Sequence, residues 1–170
     1  NLNLRQKDLI VWPGTVTAIG GNSQSIQCGR IISNGKPFSG RIKYVNYSLA
    51  SAGWEPVKYR DINKGSVRPA NNASEFSFCD FVGLGYGILS GAVETALHDN
   101  VFKNNYHGAQ TNKASNCLFI GNQIGMYQAF AADMEVINCN FAGNTVCGLY
   151  VMSNPNVNYD VRNSVECIVS

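Results

Sequence analysis

Asn116-Cys-Leu-Phe119-Ile-Gly-Asn122-Gln-Ile-Gly125-Met126 decides the fold of this chain. The same pattern, F-x-x-N-x-x-G-apolar, returns on either side of it. Phe102-Lys-Asn-Asn105-Tyr-His-Gly108-Ala109 lies before it, and Phe141-Ala-Gly-Asn144-Thr-Val-Cys-Gly148-Leu149 lies after it with one residue inserted. Phe81-Val-Gly-Leu84-Gly-Tyr-Gly87-Ile88 is a further copy with Leu in place of Asn, and Val161-Arg-Asn-Ser164-Val-Glu-Cys167-Ile168 is a weak fifth. The lead positions are 21, 17, 22 and 20 residues apart. Gly and Asn recur too often for helix interiors. A period near 20 with short apolar strands is one solenoid turn per repeat. Each Phe is expected to point inward and stack on the next across a strand spacing of about 4.8 Å. The Asn is expected to take a left-handed corner and the following Gly a second one.

Two further columns are in phase. Cys79, Asn100, Cys117 and Cys139 stand two positions before the Phe, and Phe78, Asp99, Asn116 and Asn138 stand three before it. Cysteines that follow the repeat read as small buried hydrophobes with free thiols, which suits folding in a reducing compartment. No C-x-x-C pair is present, so no zinc site is expected.

The segments Asn116-Cys-Leu-Phe-Ile-Gly-Asn122 and Asn138-Cys-Asn-Phe-Ala-Gly-Asn144 resemble the coil signature of the pectate-lyase-like β-helix superfamily, with a flavour of the bacteriophage tailspikes within it. The resemblance covers roughly residues 75–168. It implies an all-β, right-handed parallel β-helix. It also implies a bacterial surface polysaccharide as partner, a parallel homotrimer, and a place in the virion or, failing that, on a secreted or cell-surface protein. The fold hosts many activities, so the chemistry has to come from the site.

Outward from the repeats the chain changes character. Residues 1–70 carry ten Lys/Arg and three Asp/Glu, a balance of +7; residues 71–170 carry three and eight, a balance of −5. Val67–Ser74, rich in Pro, Asn and Ser, reads as the boundary between a β-rich N-terminal region (1–70) and the repeats (71–170). The N-terminal region is either a set of irregular early coils or a small β-domain. Its short strands are Leu9–Trp12, Thr15–Ile19, Ser25–Cys28, Arg30–Ser33 and Arg41–Tyr47, with Asn34-Gly35 as a hairpin turn. Trp54 and Tyr59 read as core or loop anchors. The scattered basic residues lack a nucleic-acid motif, and no stretch reaches the roughly 18 apolar residues of a membrane helix. The opening NLNLRQKDLIVWPG has no signal-peptide pattern. The last repeat lacks a polar cap, which predicts that further sequence or a partner covers that end.

Glycoside hydrolysis uses two carboxylates, about 5–5.5 Å apart for retention and about 6.5–9.5 Å for inversion. Glu94 and Asp133 each stand eight residues before a repeat Phe, two turns apart, which places their backbones about 9.6 Å from each other. They are the candidate catalytic pair. Tyr86 and His107 share a phase one turn apart and, with Tyr127, are the candidate substrate-binding residues. The Tyr/His pair also offers the proton acceptor that a lyase would need. Neither a metal nor a cofactor is expected. The readings are therefore a tailspike-like polysaccharide binder with hydrolase or lyase activity, or a non-enzymatic structural module of a virion fibre or adhesin.

Overall fold

The computed structural model describes residues 2–20, 25–47, 65–70, 74–90, 95–128, 130–152 and 155–167, with the backbone alone at 2–6, 20, 47 and 165–167. Its strands, numbered in chain order, fall into three runs. The first holds β5 (Ser66–Pro69), β8 (Tyr86–Leu89), β11 (His107–Gln110), β14 (Ile124–Tyr127) and β17 (Cys147–Tyr150). The second holds β6 (Glu75–Ser77), β9 (Ala96–His98), β12 (Lys113–Ser115), β15 (Met134–Ile137) and β18 (Tyr159–Arg162). The third is a separate 7-stranded sheet of β2 (Val16–Gly20), β4 (Ile42–Tyr47), β7 (Cys79–Val82), β10 (Val101–Lys103), β13 (Leu118–Ile120), β16 (Asn140–Ala142) and β19 (Val165–Cys167).

One long strand, β3 (Ser25–Asn34), joins the first two runs. Its first residues pair with β5 and its last with β6, while β1 (Leu2–Val11) pairs along it. Every pairing among the described strands is parallel. From β6 onward the chain visits the second, third and first runs in turn and then steps up one strand. The architecture is all-β, parallel and strongly curled, compatible with a solenoid.

The phenylalanines explain the register. Phe81, Phe102, Phe119 and Phe141 are direct partners on neighbouring strands. Their rings stack at 4.7, 4.8 and 4.9 Å with planes within 8° of parallel, and Tyr44 extends the stack below Phe81 at 5.0 Å. All five are buried. A shift of one residue would turn the whole stack toward water. The first run packs tightly over it: a Cβ on Gly108 would sit 2.2 Å from the Gly125 carbonyl oxygen and 3.0 Å from the Phe119 ring. That glycine is required by close approach.

The corners differ from the sequence expectation. Asn105, Asn122 and Asn144 do not take left-handed conformations. In the repeats the left-handed residues are Phe78, Asp99, Asn116 and Asn138, three positions before the stacked Phe, Asn163 in the same column by strand pairing, and Gly83, Asn104, Gly121 and Gly143, two after the Phe. The repeat Asn instead turns inward as a hydrogen-bonded ladder. The Asn105 N–H donates to Asn122 Oδ1 and the Asn122 N–H to Asn144 Oδ1, both at 3.0 Å. Each side-chain amide donates in turn to the carbonyl of a Phe below: Asn105 to Phe81, Asn122 to Phe102 and Asn144 to Phe119. Buried corner backbone needs such partners, since an unmet group costs about 1–3 kcal/mol.

Two other expectations are corrected. Asn34-Gly35 makes no hairpin, because β3 pairs in parallel with β1 and β6, and the Gly35 N–H donates to the Ser77 carbonyl. The fifth copy is out of register: Val161 pairs with Val136, and Glu166 is the residue opposite Phe141. Near residue 70 the pairings of β3 with β6 and of β4 with β7 carry both sheets across the composition change. Trp54 and Tyr59 lie outside the described residues.

Cys28, Cys79, Cys117 and Cys139 carry free thiols. The Cys79, Cys117 and Cys139 thiols each donate to the carbonyl two residues earlier. Burial pushes the Cys79 thiol up to about 12 and raises that of Cys117 as well.

Candidate functional site

The first run carries a second aromatic column, on the outside. Tyr86, at the start of β8, is the direct partner of His107, at the start of β11. The two rings meet edge to face at 4.8 Å. Tyr106 stacks on His107 at 4.7 Å. On the other side His107 lies parallel to Tyr127 of β14 at 5.9 Å, and Tyr127 stacks on its partner Tyr150 of β17 at 4.9 Å with planes 2° apart. The structure thus brings Tyr86, His107 and Tyr127 together and adds Tyr106 and Tyr150. Tyr150 was legible in the sequence, since Gly125-Met-Tyr127 and Gly148-Leu-Tyr150 are the same fragment one repeat apart.

Stacking limits what these rings offer. Both faces of Tyr127 are covered, one by His107 and one by Tyr150, so a ligand meets its edge and hydroxyl. Tyr150 lies on the last strand of the first run and is 45% exposed. The strip therefore suits a ligand that takes hydrogen bonds along its length and packs an apolar ring face at one end, as amphipathic aromatic side chains allow.

His107 is half-buried, and its Nδ1 is buried without a hydrogen-bond partner. Burial lowers its pKa, which favours the neutral ring. Burial raises the Tyr86 phenol; among the neighbours, Tyr106 and Tyr127 push it the same way while the nearby Arg68 charge opposes them. Arg68, on β5, was not among the sequence candidates. It lies before the first recognisable repeat, and only the pairing of β5 with β8 puts it beside the aromatic strip.

The carboxylate pair is placed differently. Glu94 lies outside the described residues. Asp133 is exposed on the turn between β14 and β15. Its Oδ1 accepts the Asn158 N–H at 3.0 Å and its Oδ2 the Asn158 side-chain amide at 3.4 Å. Asn112 holds the same turn from below, donating to the carbonyls of Phe130, Ala132 and Asp133. In this arrangement Asp133 ties one turn to the next. Asp99, in the left-handed column, lies 3.3 Å from His98.

Among the described residues no group of three or more His, Cys, Asp or Glu side chains converges as a metal site, and no helix is long and apolar enough to cross a membrane. No protein-family model, no curated protein and no solved structure matches the chain.

Proposed function

We propose that the chain is a polysaccharide-binding right-handed parallel β-helix of tailspike type, which grips a bacterial surface glycan along the outer face of its first run. The observation that carries this reading is the aromatic strip Tyr86, His107, Tyr127 and Tyr150, which crosses four neighbouring strands with every ring touching the next. A linear polymer laid across parallel strands meets a repeated set of side chains at intervals of about 4.8 Å. Cleavage of that glycan by hydrolysis through Glu94 and Asp133, or by elimination with the Tyr86/His107 pair, is the enzymatic extension of the same reading.

A second reading, a structural β-helix module assembled as a virion homotrimer, draws on the third run. There Val82, Val101, Leu118 and Ile120 alternate with the buried stack and are half-exposed, an apolar patch on an outer face that also carries Asp80, Lys103 and Asn140. Such faces suit association between subunits.

Affinity electrophoresis of the chain in gels cast with capsular polysaccharide or O-antigen separates the two readings. Retardation that is lost in Tyr127→Ala, with an unchanged circular dichroism spectrum, supports the binder. Unretarded migration in every gel, together with no release of reducing ends or unsaturated uronates, leaves the structural module.

A further inference from the structure

The two runs that meet on β3 differ in their carboxylates. The first run reads SVRP, YGIL, HGAQ, IGMY and CGLY, without one Asp or Glu. The second reads EFS, ALH, KAS, MEVI and YDVR, and carries Glu75, Glu135 and Asp160. The strip and its cation therefore occupy the half of the sheet that lacks carboxylates.

Arg68 is the cation. Arg30 pairs with Asp8, Arg41 with Asp80 at 2.6 Å and Arg162 with Asp160 at 2.7 Å. Arg68 has no carboxylate partner among the described residues, and its Nε is buried with no hydrogen-bond partner. It is half-buried and close enough to Tyr86 for its charge to act on the phenol. A guanidinium withdrawn from water without a counter-charge is unfavourable, and its planar fork matches a carboxylate or sulfate in two-point contact. His107, held neutral by burial, adds no second charge.

We propose that Arg68 and the adjoining Tyr86 and His107 form a subsite for the anionic group of an acidic sugar, so that the strip selects polysaccharides bearing carboxylate or sulfate over neutral ones. This rests on the glycan-binding reading above. The acidic group faces the guanidinium, and the tyrosine hydroxyls hold the neighbouring sugar hydroxyls. The carboxylate-free run then also avoids repulsion along the polymer.

The test uses the full chain and hexasaccharides of alginate, hyaluronan and polysialic acid, each beside its carboxyl-reduced form, with a neutral dextran hexasaccharide. Binding is read by calorimetry at low and physiological salt. The expected result is binding of at least one acidic hexamer that falls tenfold or more when its carboxyls are reduced and weakens with salt. Arg68→Gln should lose about tenfold to a hundredfold on the acidic form and clearly less on the reduced form. Arg68→Lys, which keeps the charge and loses the fork, should recover part of the loss. Equal affinity for acidic and reduced forms, or binding of neutral sugars alone, overturns the subsite and leaves the glycan reading standing. No binding of any hexamer overturns both.

Discussion

Two aromatic ladders climb the same repeats, the inner one in a single register and the outer one with a side step, since His107 is opposite Ile124 and Tyr127 opposite Gln110. Inside, Tyr44, Phe81, Phe102, Phe119 and Phe141 stack at 4.7–5.0 Å with planes nearly parallel. Outside, Tyr127 and Tyr150 stack at 4.9 Å with planes 2° apart. The spacing belongs to the sheet, because parallel strands place like positions about 4.8 Å apart whatever side chain they carry. Stacking by itself therefore says nothing about function. The ladders differ in what breaks them. The inner one is apolar and buried, and it is interrupted only by the hydroxyl of Tyr44, which meets Ser33 Oγ. The outer one mixes Tyr with His, leaves its rings partly in water and has beside it an arginine with no carboxylate partner among the described residues. Variation that the core would not tolerate is where a binding chemistry can be written.

The sharpest way to break the comparison is to truncate one rung of each ladder. Phe119 is stacked on both faces and fully buried, so Phe119→Ala should cost about 3–5 kcal/mol, the range for large core truncations. Tyr127→Ala removes a half-exposed ring and should cost clearly less, while abolishing retardation by polysaccharide. Urea denaturation of the two variants, followed by circular dichroism, gives the difference. Equal losses would mean that the outer ladder is as structural as the inner one.

The asparagine column sharpens the contrast one step further in. Asn122 accepts the Asn105 N–H at 3.0 Å and donates to the Phe102 carbonyl at 3.0 Å. Asn122→Ala leaves both buried groups unmet, at about 2–6 kcal/mol in total. Asn138→Ala acts at an exposed left-handed corner and should lose only about 1–2 kcal/mol, the strain of a non-glycine residue there. A larger loss for Asn138 than for Asn122, again by urea denaturation, would reverse the roles that the hydrogen bonds assign.

That reversal marks the limit of what the sequence could show. The Phe period and the in-phase columns made the inner ladder readable, and the shared phase of Tyr86 and His107 made part of the outer one readable. The corners were not readable from residue type, since Asn and Gly both tolerate positive φ, and spacing cannot say which of two such columns turns the chain. Asp99 was readable as a corner from its column with Asn116 and Asn138, whereas Phe78 occupies a left-handed position that its side chain does not announce. Tyr44 was hidden because 37 residues separate it from Phe81, about twice the period of the repeat. Val161 drew the last copy out of register because it is the apolar residue at the expected distance, whereas pairing puts Glu166 opposite Phe141. Arg68 comes from a strand with no repeat signature, and only strand order brings it to the strip.

The smallest expected effect concerns pH and separates the ladders by their titratable content. Between pH 5 and 7 no phenylalanine or asparagine of the interior changes charge. His107 does, and burial among Tyr86, Tyr106 and Tyr127 lowers its pKa below the ordinary value of 6.5. The unfolded chain then binds the proton more readily than the folded one. His107 thus contributes stability that is fully present above about pH 6.5 and is lost as the pH falls through the lowered folded value. Only the difference between the parent chain and His107→Gln isolates this imidazole, because His98 and the carboxylates are common to both. Unfolding midpoints in urea should fall from pH 7 to pH 5 in the parent chain and fall less in His107→Gln, while Phe119→Ala shows the parent's drop from a lower starting point. If His107→Gln and the parent lose the same amount, the ring is no more shielded than a free surface histidine, and the outer ladder is too open to hold a dry subsite.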